Sequence, residues 1–342
     1  MKKTFALGLI AILFFSCRDN KLKHVERAFY YWKSDSYNLS EKEDSIIRKL
    51  KAKKIYVKFF EVDHSNAMGN FPISKTALHF YNQDSLKIIP TVYLKNSVFI
   101  NSSKGSLDSL ADNVNFLIAK YCREKFPEQQ SFNEFQMDCD WTLKSKENYF
   151  YFLRKLKSIS KKEISCTLRL YPYKYPEKMG IPPVDRATLM CYNLIDPLGD
   201  HTKNSILDIA ELESYLDVEK DYPKHLDVAL PVYSWMQVYQ NNTFSKVIYT
   251  DNKALKKILK PIKPLWSEVT KDTVVGDVYL RIGDKIKSEE LPAAKISKAI
   301  AVIREHVALD QEATITLFHL DEQQLSNYTH EELSGFYSDF SK

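Results

Sequence analysis

The chain has 342 residues, with 49 Lys and Arg against 44 Asp and Glu, and its net charge of +5 is spread along its length. No block of basic residues stands out, so no nucleic-acid partner is expected. Eight glycines contain no phosphate-cradling loop and no G-x-S-x-G elbow, and eight histidines contain no H-x-x-x-H pair. Neither a cofactor, a metal nor a nucleophilic serine is therefore expected.

Lys2 and Lys3 open the chain, Phe5 to Phe15 form an apolar run interrupted by Gly8, and Ser16-Cys17 closes it before Arg18 and Asp19. The run is too short to cross a bilayer and reads as a secretory signal peptide over residues 1–16. The Phe14-Phe15-Ser16-Cys17 ending resembles the lipobox of bacterial lipoproteins, with Phe14 where the usual pattern has leucine. That resemblance implies a lipid on Cys17, with residues 17–26 as anchor and tether. It implies an exported lipoprotein held on a membrane of the cell envelope.

From residue 27 to 342 strand-like runs alternate with amphipathic helices. The runs are Ala28–Trp32, Ile55–Val62, Ile88–Leu94, Phe135–Trp141, Ile164–Leu170, Ala187–Tyr192, Val228–Tyr233 and Thr314–Leu320. Helical patterns cover Ser40–Lys51, Ser106–Lys125, Lys144–Ser158, Ser205–Leu216, Ala293–Ala308 and Glu331–Phe340. Ser40 and Glu43 form a capping box at the first of them. Eight strands with crossover helices predict a single α/β domain, a closed (β/α)₈ TIM barrel. The gaps after strands two and five hold no convincing helix. The excess length falls in an insertion after strand seven, about 236–290, with a hairpin at Val274–Ile282. Cys122, Cys139, Cys166 and Cys191 lack C-x-x-C spacing and are expected as free core thiols.

Barrel chemistry sits at the carboxyl ends of the strands. In strand four, alternation places Asp138, Asp140 and Thr142 on one face and Met137, Cys139 and Trp141 on the other. Two inward carboxylates need a use or a partner. They serve as an acid–base pair, or they pair with an interior cation such as Lys58 or Arg169. Glu61 and Asp63 follow strand two, and Asp321 follows strand eight beside His319. Trp32, Tyr93, Tyr171, Tyr192, Tyr233 and Trp235 lie near strand ends, where ring faces suit sugar stacking and core packing alike.

The run Phe135 to Thr142 resembles the D-x-x-D-x-D-x-E signature of family 18 glycoside hydrolases, the chitinases and their relatives. Asp138 and Asp140 fall on its second and third aspartates. Met190-Cys191-Tyr192-Asn193 is similar to the family's M-x-Y-D, and Ala229 to Trp235 to its G-x-P-x-Y-G. Gln136 through Tyr192 is more similar still to a bacterial barrel family of unknown function, with Q-x-D-x-D, a V-D pair at Val184-Asp185 and M-x-Y at Met190–Tyr192. The resemblance spans residues 130–235. It implies a glycan partner and Asp138, Asp140 and Tyr192 as catalytic candidates; with the strand-end positions it makes Trp32, Glu61, Asp63, Tyr93, Asn193, Tyr233, Trp235 and Asp321 the substrate-binding candidates.

The departures are at the chemical centre. The glutamate that protonates the glycosidic oxygen is replaced by Thr142, whose hydroxyl is no acid near neutral pH. Phe135 replaces the first aspartate and Asn193 the last. Two readings follow. In one, Asp140 and a second carboxylate hydrolyse a glycan; in the other, the barrel is a non-catalytic glycan binder or envelope scaffold. A cation facing Asp140 counts against the first.

Overall fold

A computed structural model describes residues 21–342 apart from 34–35, 80–85, 101, 127–131, 200–201, 250–254, 256 and 277. Cys17 and the signal segment lie outside the described residues. Eight strands form the barrel: β1 (His24–Tyr31), β2 (Lys54–Ser65), β3 (Lys87–Leu94), β4 (Glu134–Asp138), β5 (Glu163–Leu168), β6 (Arg186–Met190), β7 (His225–Pro231) and β8 (Glu312–Phe318). All neighbours pair in parallel, and β1 pairs with both β2 and β8, so the sheet closes.

Every strand starts earlier than its apolar run predicts, and the reason is electrostatic. Most of the extra residues are polar, and several of them meet in an ionic layer at the amino end. Lys54, 1% exposed at its side chain, reaches Glu26 at 2.5 Å and Glu134 at 3.8 Å. Arg186 reaches Glu163 at 2.8 Å and Asp227 at 3.3 Å. Strand β1 accordingly begins at His24, inside the stretch expected as tether.

Six main helices cover the barrel: α1 (Glu41–Leu50), α2 (Lys104–Lys125), α3 (Lys146–Ser160), α4 (Ile209–Leu216), α5 (Ala293–His306) and α6 (His330–Ser338). The Ser40 and Glu43 capping box forms at α1. Of the apolar face that helical spacing predicts on α2, Leu107, Leu110, Val114, Ile118 and Tyr121 are buried and Leu117 is half-buried. The two helix-poor gaps are filled differently. Gly69–Lys75 folds back antiparallel on β2, and two short helices, Leu170–Lys174 and Pro176–Met179, follow β5.

The insertion begins directly after β7 and builds an antiparallel five-stranded sheet. Its order is Thr243–Ile248, Trp235–Gln240, Lys285–Glu289, Trp266–Val269, Leu259–Lys263. A hairpin pairs Thr273–Val275 with Val278–Leu280. Met236, Val238, Ile248, Leu255, Val269, Val278, Leu280 and Ile286 form its own apolar cluster, so the insertion has an interior beside the barrel's. Cys122, Cys139, Cys166 and Cys191 are buried and form no disulfide.

Candidate functional site

The carboxyl end of β4 begins the site. Regular strand stops at Asp138 rather than Trp141, yet the alternation persists through the next residues. Met137, Cys139 and Trp141 are buried behind the strand, with Trp141 stacked on Tyr149 and its indole N–H donating to the Met179 carbonyl. Asp138 is 9% exposed, while Asp140 and Thr142 are open to solvent.

Asp138 accepts a 2.6 Å hydrogen bond from the Thr167 hydroxyl on β5. Burial, with Asp140 and Glu61 nearby, pushes its carboxyl up to about 7. Thr167 and Arg169 oppose that shift. Asp140 lies 3.2 Å from Nε of Arg169. Glu61 lies 2.5 Å from Nζ of Lys58. Both cations named as structural partners are thus present, but they divide the work: Arg169 takes Asp140 and Lys58 takes Glu61. Tyr93 on β3 is half-buried against this group, and burial with Asp138 and Asp140 raises its phenol to about 12.

Thr142 belongs to the turn that opens α3. Its N–H donates to Ser145 Oγ at 2.8 Å, and its carbonyl accepts from the N–H groups of Ser145 and Lys146. The position that holds an acid in the resembled signature therefore serves here as a helix start.

The aromatic floor centres on Phe318, at the end of β8. Its ring lies 5.1 Å from Tyr192, 5.7 Å from Tyr30 and Tyr233, and 6.0 Å from Trp32. Tyr192 and Tyr233 are almost wholly buried, whereas Trp32 and Trp235 are half-buried. Tyr233 donates from its hydroxyl to Asn193 Oδ1 at 2.5 Å, and Asn193 holds a left-handed backbone, φ 54°. A recess of about 180 Å³ opens beside them, lined by Arg169, Leu170, Tyr171, Tyr192, Asn193, Leu194 and Tyr215.

Two candidates stand apart, fixed by local bonds. Asp63 accepts from Lys95 at 2.7 Å, from Ser97 at 2.8 Å and from the His64 N–H at 2.7 Å, which lowers its carboxyl to about 2. Asp321 caps the short helix Glu322–Leu325 through the Gln324 N–H and lies 3.8 Å from Lys33.

Sequence reasoning missed Phe318, Tyr30 and Thr167. Ser165, Thr167 and Arg169 alternate at period two, and this was the available signal for β5's contribution. Glu289 was also missed. It is fully buried in the insertion and accepts from Trp235 Nε1 at 2.5 Å, Gln237 Nε2 at 3.1 Å, and the N–H and hydroxyl of Ser205 at 2.6 and 2.8 Å. Lys287, equally buried, lies 3.4 Å from it and donates to the carbonyl oxygens of Pro197 and Gly199. The insertion thereby fixes both Trp235 and the loop after β6.

No protein-family model matches the chain, and no curated protein matches its sequence. Its structure is similar to the spore cortex-lytic enzyme SleL of Bacillus cereus, at 14% identity and TM-score 0.51 over 90% of this chain and 75% of that one. It is similar to a chitinase from Chromobacterium violaceum, at 11% identity and TM-score 0.51 over 89% and 97% of the two chains. A Group IV chitinase of Ostrinia furnacalis gives TM-score 0.51 at 9% identity over 93% and 99%. At such identities the likeness is one of fold: this chain is a closed eight-stranded (β/α)₈ barrel, similar in fold to those of these enzymes.

Proposed function

We propose that the chain is an exported lipoprotein, anchored through Cys17 in the cell envelope, whose barrel mouth binds a glycan without cleaving it. The observation that carries the reading is the charge state of the mouth. Glu61 is matched by Lys58, Asp140 by Arg169, and Asp138 keeps its proton to about pH 7. A polar surface with its charges compensated, beside the half-buried Trp32 and Trp235, suits an uncharged polyhydroxylated ligand. The cortex-lytic enzyme and chitinases that share the barrel add support for a glycan.

A hydrolytic reading has one observation in its favour. A carboxyl titrating near 7 is in the range of a general acid, and Asp140 is its neighbour. The test is a glycan array paired with a reducing-end assay on every ligand that binds. Binding without turnover is expected, with Asp140→Asn altering affinity only modestly. Turnover that disappears in Asp138→Asn or Asp140→Asn overturns the binding-only reading. Partitioning of the full chain with membranes, lost in Cys17→Ala, tests the anchor; mass spectrometry showing an unmodified Cys17 overturns it.

A further inference from the structure

The two ends of the barrel carry different surfaces, and the chain enters at the end opposite the mouth. Leu22 is buried, its N–H donating to the Phe340 carbonyl, and Lys23 and His24 donate to the Gln311 carbonyl. These bonds fix the start of β1 to the amino end. The path from Cys17 to Leu22 is five residue steps and reaches at most roughly 17 Å. A lipid on Cys17 therefore stays near the amino end, while the mouth lies at the far end of strands such as the 8-residue β1.

That amino end is basic over one sector. Lys21 and Lys23 precede β1, Lys51 and Lys53 precede β2, Lys87 begins β3 and Lys161 precedes β5, and all six are exposed. The first three sites are neighbours. Lys53 donates its N–H to the Arg27 carbonyl of β1, and Lys87 donates its N–H to the Lys53 carbonyl. Lys51 and Lys161 both hold the left-handed cap of a helix, φ 55° and 56°, which turns the chain at this face. Among the described residues no salt bridge joins Lys23, Lys51, Lys53 or Lys161 to a carboxylate, and Lys87 lies 4.0 Å from Glu134 and within electrostatic reach of Glu26. Five exposed acids of this end, Asp217, Glu219, Asp221, Asp310 and Glu312, gather ahead of β7 and β8, while Glu124 at the end of α2 and Asp185 ahead of β6, which pairs with Lys157, lie outside that group.

We infer that this lysine sector is a membrane-docking surface for anionic phospholipid headgroups, acting beside the lipid on Cys17 and turning the mouth away from the bilayer. It rests on the anchor reading for its setting and extends it to a partner. Juxtamembrane lysines are drawn to anionic bilayers within about a Debye length of the surface. One lipid attachment combined with a basic patch also holds a protein more firmly than either does alone. The mouth then meets glycan standing clear of the bilayer rather than headgroups in it.

The test uses the mature chain carrying Cys17→Ser, so that no lipid contributes. It is sedimented with vesicles of phosphatidylcholine alone and with vesicles containing about a third phosphatidylglycerol. Binding is expected to be at least about tenfold stronger to the anionic vesicles and to vanish in roughly 1 M salt. Lys51→Glu, Lys53→Glu and Lys87→Glu together should remove the preference and leave the melting temperature and glycan binding intact. Equal binding to both vesicles, or a preference that survives the triple change, overturns the inference. Mass spectrometry of wild-type Cys17 separates the two readings. A preference with an unmodified Cys17 defeats the anchor and keeps the docking surface. A lipidated Cys17 with no preference does the reverse.

Discussion

Arg169 Nε sits 3.2 Å from the Asp140 carboxylate, a partly exposed pair at the barrel mouth beside the buried Asp138. Asp138 feels both partners in opposite senses: Asp140 raises its carboxyl and Arg169 lowers it. Two variants should therefore move its titration in opposite directions. Asp140→Asn should bring the Asp138 midpoint below about 7, and Arg169→Gln should carry it higher. Carbon-detected NMR of the aspartate carboxyls reads both shifts. Movement in the same direction in both would show that the pair does not act on Asp138 through its charges.

The same carboxyl has a stability consequence. Its folded pKa, about 7, lies above the ordinary 3.8, so the folded state binds the extra proton between those values. Stability from this group is fully present below about pH 4 and is lost as pH rises through about 7. Asp138→Asn cannot ionise and should lose this part of the slope. Urea midpoints across pH 4 to 8 should show wild type falling relative to the variant. Parallel curves would contradict the raised carboxyl.

Asp63 should act at the other end of the scale. Lys95, Ser97 and the His64 N–H stabilise its charged form and hold it at about 2. Its contribution is present above the ordinary 3.8 and is lost as pH falls through about 2. Wild type should be more stable than Asp63→Asn near pH 5, and the two should converge towards pH 2. A difference that persists unchanged in acid would assign Asp63 no part in the acid limb.

The barrel was legible because strands buried on both faces read as continuous apolar runs, while helices buried on one face read with helical period. Strand starts were not legible, since Glu26, Lys54, Glu134, Glu163, Arg186 and Asp227 look like solvent-facing charge until closure brings them together. The site divided along the same line. Asp138 and Asp140 were readable from alternation in one strand. Thr167 and Phe318 act only through neighbours that meet on closure. Glu289 was hidden differently, because its donors come from Trp235, Gln237 and Ser205, distant in sequence.

Glu289 and Lys287 make the insertion's attachment costly to break. Both are fully buried, so removing one leaves the other's charge without its partner, at about 3–5 kcal/mol. Glu289→Ala should lower stability by that order and change the fluorescence of Trp235, whose indole loses its acceptor. The double change Lys287→Met with Glu289→Leu should cost less than the sum of the single changes, because no lone charge remains. Strict additivity in denaturant titrations would show that the two charges do not interact.

Thr142 offers the sharpest separation between a binder and a hydrolase. Its side chain is exposed and makes only long contacts, 3.4 Å to Ser145 Oγ and 3.5 Å from Asn96 Nδ2, while its main structural contribution runs through backbone bonds to Ser145 and Lys146, which any residue can make. Thr142→Glu should therefore change stability by no more than about 0.5 kcal/mol. The new carboxyl would stand where the resembled signature has its acid, next to Asp140. An acid alone does not complete the chemistry, because Asp140 is neutralised by Arg169 and Asp138 is bonded to Thr167. The single variant is expected to bind glycan as wild type does and to release no reducing ends. Turnover should appear only when Arg169→Gln is added, freeing Asp140 to act on the charge that develops at the sugar. Hydrolysis by Thr142→Glu alone would mean that the missing acid is all that separates this mouth from an enzyme, and that the Arg169–Asp140 pair does not restrain it.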